Sequence, residues 1–114
     1  MESIRQLDPD TFFAEIAVTE DAILLDVRPA FETHLDPPLS GAFLLDYIDI
    51  SFDEKFGDLD PLSQFYLYCS DGVLSHRAAN HLQSKGVLSL TVLQGGKRAW
   101  NLIQKRYHNH EKRK

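Results

Sequence analysis

The chain has 114 residues, of which 43% are hydrophobic, 11% aromatic and 25% charged. This length and composition fit one globular domain with a single hydrophobic core and exclude a disordered chain. No apolar run approaches the roughly 18 residues of a membrane span, and the first residues lack a basic segment followed by an apolar stretch. We therefore expect a cytoplasmic protein with no membrane partner, and a monomer is the default expectation.

Charge is unevenly distributed along the chain. The formal net charge is −5, but residues 105–114 carry +4 and residues 1–104 carry −9. An acidic body is a poor binder of nucleic acid, so no nucleic-acid partner is expected. We interpret residues 105–114 as a basic C-terminal tail that is solvated, with contact to RNA or an acidic partner as the alternative.

Helix-like and strand-like segments alternate in the first half of the chain. Residues 8–10 (DPD) predict a helix start, because proline suits the first turn and acidic side chains suit the positive end of the helix dipole. An apolar run over 22–25 ends at Asp26. A short helix is predicted over 29–34, and a second apolar run covers 42–45.

The second half continues this alternation. Its segments are an ambiguous stretch at 50–56 that fits a helical turn or two, an apolar run at 65–68 ending at Cys69, a helix at 75–85 with Gly86 as its left-handed stop, an apolar run at 87–93, a turn at 95–96 and a helix at 98–107. Glycine after the last helical residue is a common stop signal.

Short continuous apolar runs separated by helices are typical of strands buried on both faces of a parallel sheet. We therefore predict an α/β domain of three layers. In such sheets ligands bind at the carboxyl ends of the strands. Two polar residues, Asp26 and Cys69, occupy such ends, so a site is expected there.

Cys69 is the only cysteine, so the chain cannot form an internal disulfide, and a lone thiol is usually a small buried hydrophobe. Residues 69–77 read CSDGVLSHR, which predicts a strand end, a short loop and a helix start. Backbone N–H groups in such a loop converge on one point and favour an anion there, including a thiolate. We expect Gly72 to allow the tight turn and Ser75 to cap the helix. This geometry suits a nucleophilic cysteine.

Three stretches together resemble the rhodanese family of sulfurtransferases. They are residues 23–28 (ILLDVR) followed by Glu32, residues 68–75 (YCSDGVLS) and residues 93–100 (LQGGKRAW). They are similar to the family's Asp-Val-Arg…Glu segment, its six-residue active loop and its Gly-Gly…Ala-Trp segment. Their order and spacing match over residues 4–104. The resemblance implies a three-layer α/β/α rhodanese-like domain over 4–104, with a mostly parallel sheet of about five strands.

The resemblance also implies a chemistry. Cys69 would take a sulfane sulfur from thiosulfate or a persulfide donor, hold it as a persulfide, and pass it to a thiol, a protein or cyanide, with no cofactor and no metal. The implied substrate-binding loop consists of Ser70, Asp71, Gly72, Val73, Leu74 and Ser75. Many members carry Arg near the end of this loop or basic residues after the cysteine, and this chain carries neither. Since Asp71 adds negative charge, we expect poor use of thiosulfate and a preference for persulfide donors.

Four further residues are possible auxiliaries. Asp26 and Arg28 are interpreted mainly as structural, with Asp26 bonding backbone at the strand end and Arg28 pairing with a carboxylate such as Glu32. Lining the site is the alternative for both. His76 is interpreted as a solvent-facing residue, with proton donation to a leaving group as the alternative. Arg77 is a candidate source of positive charge beside the loop.

Two other functions compete with sulfur transfer. A cysteine-based phosphatase or arsenate reductase uses a similar loop but needs Arg six positions after the cysteine, where this chain has Ser75. The second alternative is a rhodanese-like fold that serves as a non-catalytic binding or regulatory module. The missing loop cations keep that alternative open, whereas the presence of Cys69 argues against it.

Overall fold

The computed structural model describes residues 4–112, with side chains described as far as Arg106. Ten elements follow one another: β1 (Arg5–Leu7), α1 (Pro9–Ala17), β2 (Ala22–Asp26), α2 (Ala30–Leu35), β3 (Phe43–Leu44), α3 (Phe52–Phe56), β4 (Gln64–Tyr68), α4 (Val73–Ser84), β5 (Leu90–Leu93) and α5 (Gly96–Lys112). Within residues 4–112, none of the helices has the length and apolar character that crossing a membrane requires.

All five strands pair in parallel in one sheet of order β1-β5-β4-β2-β3. The register places Leu25 of β2 beside Leu67 of β4, and Leu67 beside Val92 of β5. These three side chains are fully buried, as expected for central parallel strands. The predicted α/β class and the sheet of about five strands are confirmed.

Helices cover both faces of the sheet. On one face, α3 and α4 pack Phe56 and Leu82 against Phe65 and neighbouring strand residues. On the other, α1 places Phe12 edge-on to Tyr66, with ring centroids 5.6 Å apart. Helix α5 lies on that second face too, because the α1 residue Phe13 contacts Trp100 at 4.4 Å between ring centroids. The predicted three-layer architecture is confirmed.

Some strand predictions need correction. Strand β3 contains only Phe43 and Leu44, both 55% exposed, because it lies at the edge of the sheet. The apolar run at 42–45 is therefore not buried on both faces. Strand β5 begins only at Leu90, because Val87 still bonds back to the last turn of α4. Strand β1 has no apolar signal of its own, since two of its three residues are exposed.

Helix boundaries also differ from the prediction. Helix α4 begins at Val73, two residues earlier than expected. Helix α5 begins at Gly96, within the predicted turn, and continues to Lys112, so helix extends into the segment 105–114 that we interpreted as a tail. Residues 113–114 of that segment lie outside the described residues. The ambiguous segment 50–56 contains helix α3.

Candidate functional site

The loop between β4 and α4 places Cys69 at the carboxyl end of a central strand. The four preceding residues of β4 are buried, and Cys69 itself is 2% exposed. Cys69 nevertheless lines a cavity of about 300 Å³ that opens to solvent between α2, α4 and α5. The thiol is therefore held by the core and reachable from one side.

Two backbone N–H groups point at the sulfur. The amide of Gly72 donates to Cys69 Sγ at 3.1 Å, and the amide of Ser75 donates at 3.2 Å. Gly72 makes this possible because its φ of +93° lies in the left-handed region, which side chains disfavour. Donors aimed at one atom stabilise negative charge on it, so this cradle suits a cysteine that reacts as a thiolate.

Ser75 does not cap the helix as expected. Because α4 begins at Val73, Ser75 is the third helical residue and is fully buried. Its Oγ lies 3.4 Å from Cys69 Sγ and donates to the Gly72 carbonyl at 3.3 Å. The first amide of α4 is instead satisfied by Asp71, whose Oδ1 accepts from the Val73 amide at 3.0 Å.

Asp71 also places negative charge next to the reactive atom. Its Oδ1 lies 3.8 Å from Cys69 Sγ. The effect of this carboxylate on anionic donors stays a prediction. The carboxylate is exposed at the cavity mouth, so solvent screens part of that effect.

Helix α5 holds the back of the loop. The amide of Lys97 donates to the Cys69 carbonyl at 2.8 Å, and the amide of Arg98 donates to the Ser70 carbonyl at 2.9 Å. Amides in the first turn have no partner within a helix, and here the loop supplies one. A Cβ at Gly96 would stand 2.6 Å from Asp71 N and from the Cys69 carbonyl oxygen. The glycine pair therefore does more than turn the chain, because Gly96 permits this close approach.

Asp26 and Arg28 form a buried ion pair at the neighbouring strand end. Arg28 Nη2 donates to Asp26 Oδ2 at 2.7 Å, and the Arg28 amide donates to Asp26 Oδ1 at 3.1 Å. The second partner of Arg28 is Asp36, at 3.3 Å, and not Glu32 as expected. Glu32 instead accepts a hydrogen bond from the Ser70 hydroxyl. Glu32 is nearer to Arg28 in the chain, but Asp36 follows the last residue of α2 and lies closer to the Arg28 guanidinium in space.

Tyr68 completes this network. Its hydroxyl donates to Asp26 Oδ2 at 2.8 Å and accepts from the Leu39 amide at the same distance. Burial, reinforced by the carboxylate of Asp26, raises the pKa of Tyr68 well above its ordinary value. The phenol therefore stays protonated and acts as a fixed donor. Neither it nor Asp26 lines the Cys69 cavity.

Lys97 is a site residue that sequence analysis missed. It is 7% exposed, and its Nζ donates to Asp36 Oδ1 at 2.8 Å and to Asn101 Oδ1 at 3.2 Å. The hydrogen bond from Lys97 is the main reason that the pKa of Asp36 lies below its ordinary value. Lys97 lies in the third motif, but the local pattern does not predict its partner, because Asp36 is 61 positions away in the chain.

The remaining candidate residues differ in whether they line the Cys69 cavity. His76 and Arg77 are both exposed on α4, and only Arg77 lines the Cys69 cavity. Arg98, which the sequence motif contains but which we did not single out, lines it too. In the part of the chain that the structure describes, no three His, Cys, Asp or Glu side chains come close enough to hold a metal ion.

Comparison with known proteins agrees with this geometry. The family described as Rhodanese-like domain matches residues 11–102. A tRNA sulfurtransferase of Pseudomonas putida is 31% identical over 96 residues, which cover 78% of this chain and 19% of that protein. A tRNA sulfurtransferase of Vibrio parahaemolyticus is 34% identical over 77 residues, which cover 67% of this chain and 16% of that protein.

The chain thus spans less than a fifth of the length of these curated relatives. Among solved structures, the rhodanese-like domain of an Anabaena sp. protein superposes with a TM-score of 0.73 at 28% identity. That superposition covers 90% of this chain and 76% of the other. A strand-end cysteine in a backbone cradle, on a five-stranded parallel sheet, and a family match over most of the sequence lead to one conclusion: the chain belongs to the family of rhodanese-like domains.

Proposed function

We propose that the chain is a rhodanese-type sulfurtransferase in which Cys69 carries a sulfane sulfur as a persulfide. The observation that carries this proposal is the pair of amides at 3.1 and 3.2 Å from Cys69 Sγ, next to an open cavity of about 300 Å³. The relatives named tRNA sulfurtransferases support sulfur chemistry. The substrates are a small sulfur donor and a thiol acceptor.

The proposed cycle has two displacement steps. The Cys69 thiolate attacks the outer sulfur of the donor, and a new S–S bond forms at Sγ. The bond that joined this sulfur to the donor breaks, and its electron pair leaves on sulfite or on the donor thiolate. An acceptor thiolate then attacks the outer sulfur, and the electron pair of the breaking S–S bond returns to Sγ. The cycle is redox-neutral and needs no cofactor.

The loop favours a persulfide over thiosulfate as donor. Thiosulfate places its sulfonate next to the sulfur that reacts, so its charge meets the Asp71 carboxylate, which lies 3.8 Å from Sγ. A sulfonate that enters next to Sγ is therefore close to a like charge, and the two repel each other even when water screens part of the interaction. A persulfide on an organic thiol carries less charge next to the reacting sulfur.

Mass spectrometry of the intact protein tests the proposal. The reduced protein is incubated with thiosulfate and, separately, with a small-molecule persulfide, alongside Cys69→Ser as the matched variant. We expect the wild type to gain one sulfur atom, to lose it again on addition of cyanide, and to load faster from the persulfide. Folded wild-type protein that gains no sulfur from either donor contradicts the proposal and favours a binding module.

The donor preference has its own test in Asp71→Asn. The amide keeps an oxygen to accept from the Val73 amide but removes the charge near Sγ. We expect the efficiency of loading from thiosulfate to rise about three- to tenfold. Asp58→Asn, which removes an equal charge from an exposed position outside the cavity, is the control. Equal wild-type efficiencies with thiosulfate and persulfide would refute the preference.

A further inference from the structure

The open edge of strand β3 carries a cluster of exposed apolar side chains. Strand β3 pairs with β2 and ends the sheet. Phe43 and Leu44 of this strand are more than half exposed, and so are Ile48 and Ile50 in the turn that follows it. We call these four residues the β3 edge surface. A sheet edge with exposed apolar side chains is suited to contact another chain.

Negative charge lies next to the β3 edge surface. Leu44, Asp46 and Asp49 line one cavity of about 140 Å³, so the apolar and acidic groups are neighbours in space. The two carboxylates accept hydrogen bonds from neutral groups, namely backbone amides and the Ser51 hydroxyl. In the part of the chain that the structure describes, neither carboxylate lies within 4.0 Å of a cationic group.

The negative charge continues along α3. Residues 46–60 contain six acidic side chains against one cation, Lys55. Asp53 forms an ion pair with helix α4, but the exposed side chains of Glu54 and Asp58 have no hydrogen bond or ion pair within the described part of the chain. Because opposite charges attract across an interface and like charges repel, the chemistry of this edge favours an occupant that is both apolar and cationic.

Helix α5 presents a face with those two properties. Leu102, Lys105 and Arg106 are spaced at i, i+3 and i+4, so they lie on one side of the helix. All three are exposed. Among the described residues, neither of the two cations has an ion pair or a side-chain hydrogen bond. We call these three residues the α5 face, and the segment 105–114 that follows from it carries a net charge of +4.

The two surfaces do not neutralise each other within one chain. Helix α5 packs on the α1 side of the sheet, where Trp100 contacts Phe13. Helix α3 packs on the opposite side, where Phe56 contacts Phe65. Accordingly, no ion pair joins α5 to residues 46–60 in the described part of the chain. The complementary charges therefore remain available to a second copy of the chain.

We propose that two copies of this chain associate, with the α5 face of one copy on the β3 edge surface of the other. Burial of the exposed apolar side chains drives the association, and the opposite charges fix its orientation. When the contact is made in both directions, it occurs twice and closes a two-fold dimer. This differs from the default expectation of a monomer, because the sequence does not show which side chains form a surface.

The interface is independent of the proposed sulfur transfer. None of the residues of the β3 edge surface or the α5 face lines the Cys69 cavity, so the dimer leaves that cavity open. Sedimentation velocity of the full chain over a wide range of protein concentration tests the association. We expect the wild type to pass from monomer to dimer as its concentration rises. Between 0.1 and 1 M salt, where the Debye length falls from about 10 to about 3 Å, the dissociation constant should rise about fivefold.

Charge reversal gives the sharpest form of the test. One double variant, Lys105→Glu with Arg106→Glu, reverses the α5 face, and another, Glu54→Lys with Asp58→Lys, reverses the acidic side. Each should be monomeric by itself, because like charges then meet at both contacts. An equimolar mixture of the two should dimerise again, because both contacts regain opposite charges.

Two single variants complete the set. Ile50→Ser should raise the dissociation constant about tenfold, the effect of withdrawing one large apolar side chain from the interface. Glu20→Lys, which reverses the charge of an exposed residue outside both surfaces, is the control and should dimerise like the wild type. Circular dichroism verifies folding of every variant.

The remaining outcomes overturn the proposal. Wild-type protein that stays monomeric at all concentrations refutes the association. A dimer that survives either charge reversal, or a mixture that stays monomeric, shows that the α5 face and the β3 edge surface do not meet. Sulfur loading of Cys69 should proceed at the wild-type rate in both double variants, so a failure of the interface and a failure of the proposed sulfur transfer are separate results.

Discussion

The carboxyl ends of β2 and β4 are neighbours in the sheet, and both present buried polar side chains. At the end of β2, Asp26 accepts from Arg28 and from Tyr68, so its oxygens have partners within the protein. At the end of β4, the sulfur of Cys69 also accepts from two amides, but Cys69 lines a cavity that opens to solvent. We call the end of β2 the closed end, because its polar groups are paired within the protein, and the end of β4 the open end, because a cavity adjoins it.

This difference shows how burial should be interpreted at a strand end. A buried charge that is fully paired contributes to the fold, and removal of one partner is costly because the other remains desolvated. A buried sulfur with donors aimed at it and open space beside it is available for chemistry. Changes at the closed end should therefore affect stability, and changes around the open end should affect sulfur loading.

The largest stability effect is expected at the closed end. Arg28→Met fills similar space but leaves the Asp26 carboxylate, whose side chain is fully buried, without its guanidinium. We expect the free energy of unfolding to fall by about 3–5 kcal/mol, as measured by urea denaturation.

A double variant is the control for that prediction. Arg28→Met combined with Asp26→Leu removes both charges and should recover part of the loss, because no unpaired buried charge remains. A loss below about 1 kcal/mol in the single variant would show that Asp26 and Arg28 behave as a surface pair, and the contrast between the two strand ends would fail.

An intermediate effect is expected where α5 meets the loop. Gly96→Ala places a Cβ 2.6 Å from Asp71 N and the Cys69 carbonyl oxygen, at a φ of +65°. The loop must move, so we expect a stability loss of about 2–4 kcal/mol together with slower loading of Cys69. Urea denaturation and intact mass measure the two effects.

Gly86→Ala is the matched control for Gly96→Ala. Gly86 has a comparable left-handed φ of +95°, but a Cβ there meets nothing within 4 Å. This variant should lose only the backbone contribution of about 1–2 kcal/mol and should load sulfur at the wild-type rate. Equal loading rates in both alanine variants would show that α5 does not position the loop.

The smallest effect concerns Asp36. Its carboxylate pairs with Arg28 at the end of β2 and with Lys97, whose amide donates to the Cys69 carbonyl at the end of β4. The hydrogen bond from Lys97, with further help from the charge of Arg28, keeps the pKa of Asp36 below its ordinary value of 3.8. A carboxyl whose pKa is lowered by folding stabilises the fold above the unfolded pKa, and this contribution disappears as pH falls through the folded pKa. Asp36→Asn should therefore cost up to about 1 kcal/mol near neutral pH.

The stability difference between wild type and Asp36→Asn should shrink below about pH 4. Chemical denaturation at several pH values between about 7 and 3 measures it. Because the Asp36 side chain is 43% exposed, added salt should reduce the difference as well. A difference that grows as the solution becomes more acidic would contradict the assignment of Lys97 as the main partner.

The amino-acid sequence by itself determined the α/β class, the positions of the central strands and the cysteine loop. These features depend on local patterns: apolar runs of strand length, turn residues after them, and a glycine three positions after Cys69. The same reasoning correctly placed Asp26 and Cys69 at strand ends. It did not find β1, because a three-residue edge strand with two exposed residues has no apolar run.

Only the tertiary structure decided which distant groups meet around that loop. The choice of Asp36 over Glu32 for Arg28, the bond from Lys97 to Asp36 and the position of Arg98 at the Cys69 cavity join residues far apart in the chain. Ser75 is also not the helix cap that the sequence predicts. Because α4 begins two residues earlier than predicted, its hydroxyl lies beside Sγ. Local sequence sets backbone preferences, whereas these contacts depend on how α2, α4 and α5 pack around the ends of the strands.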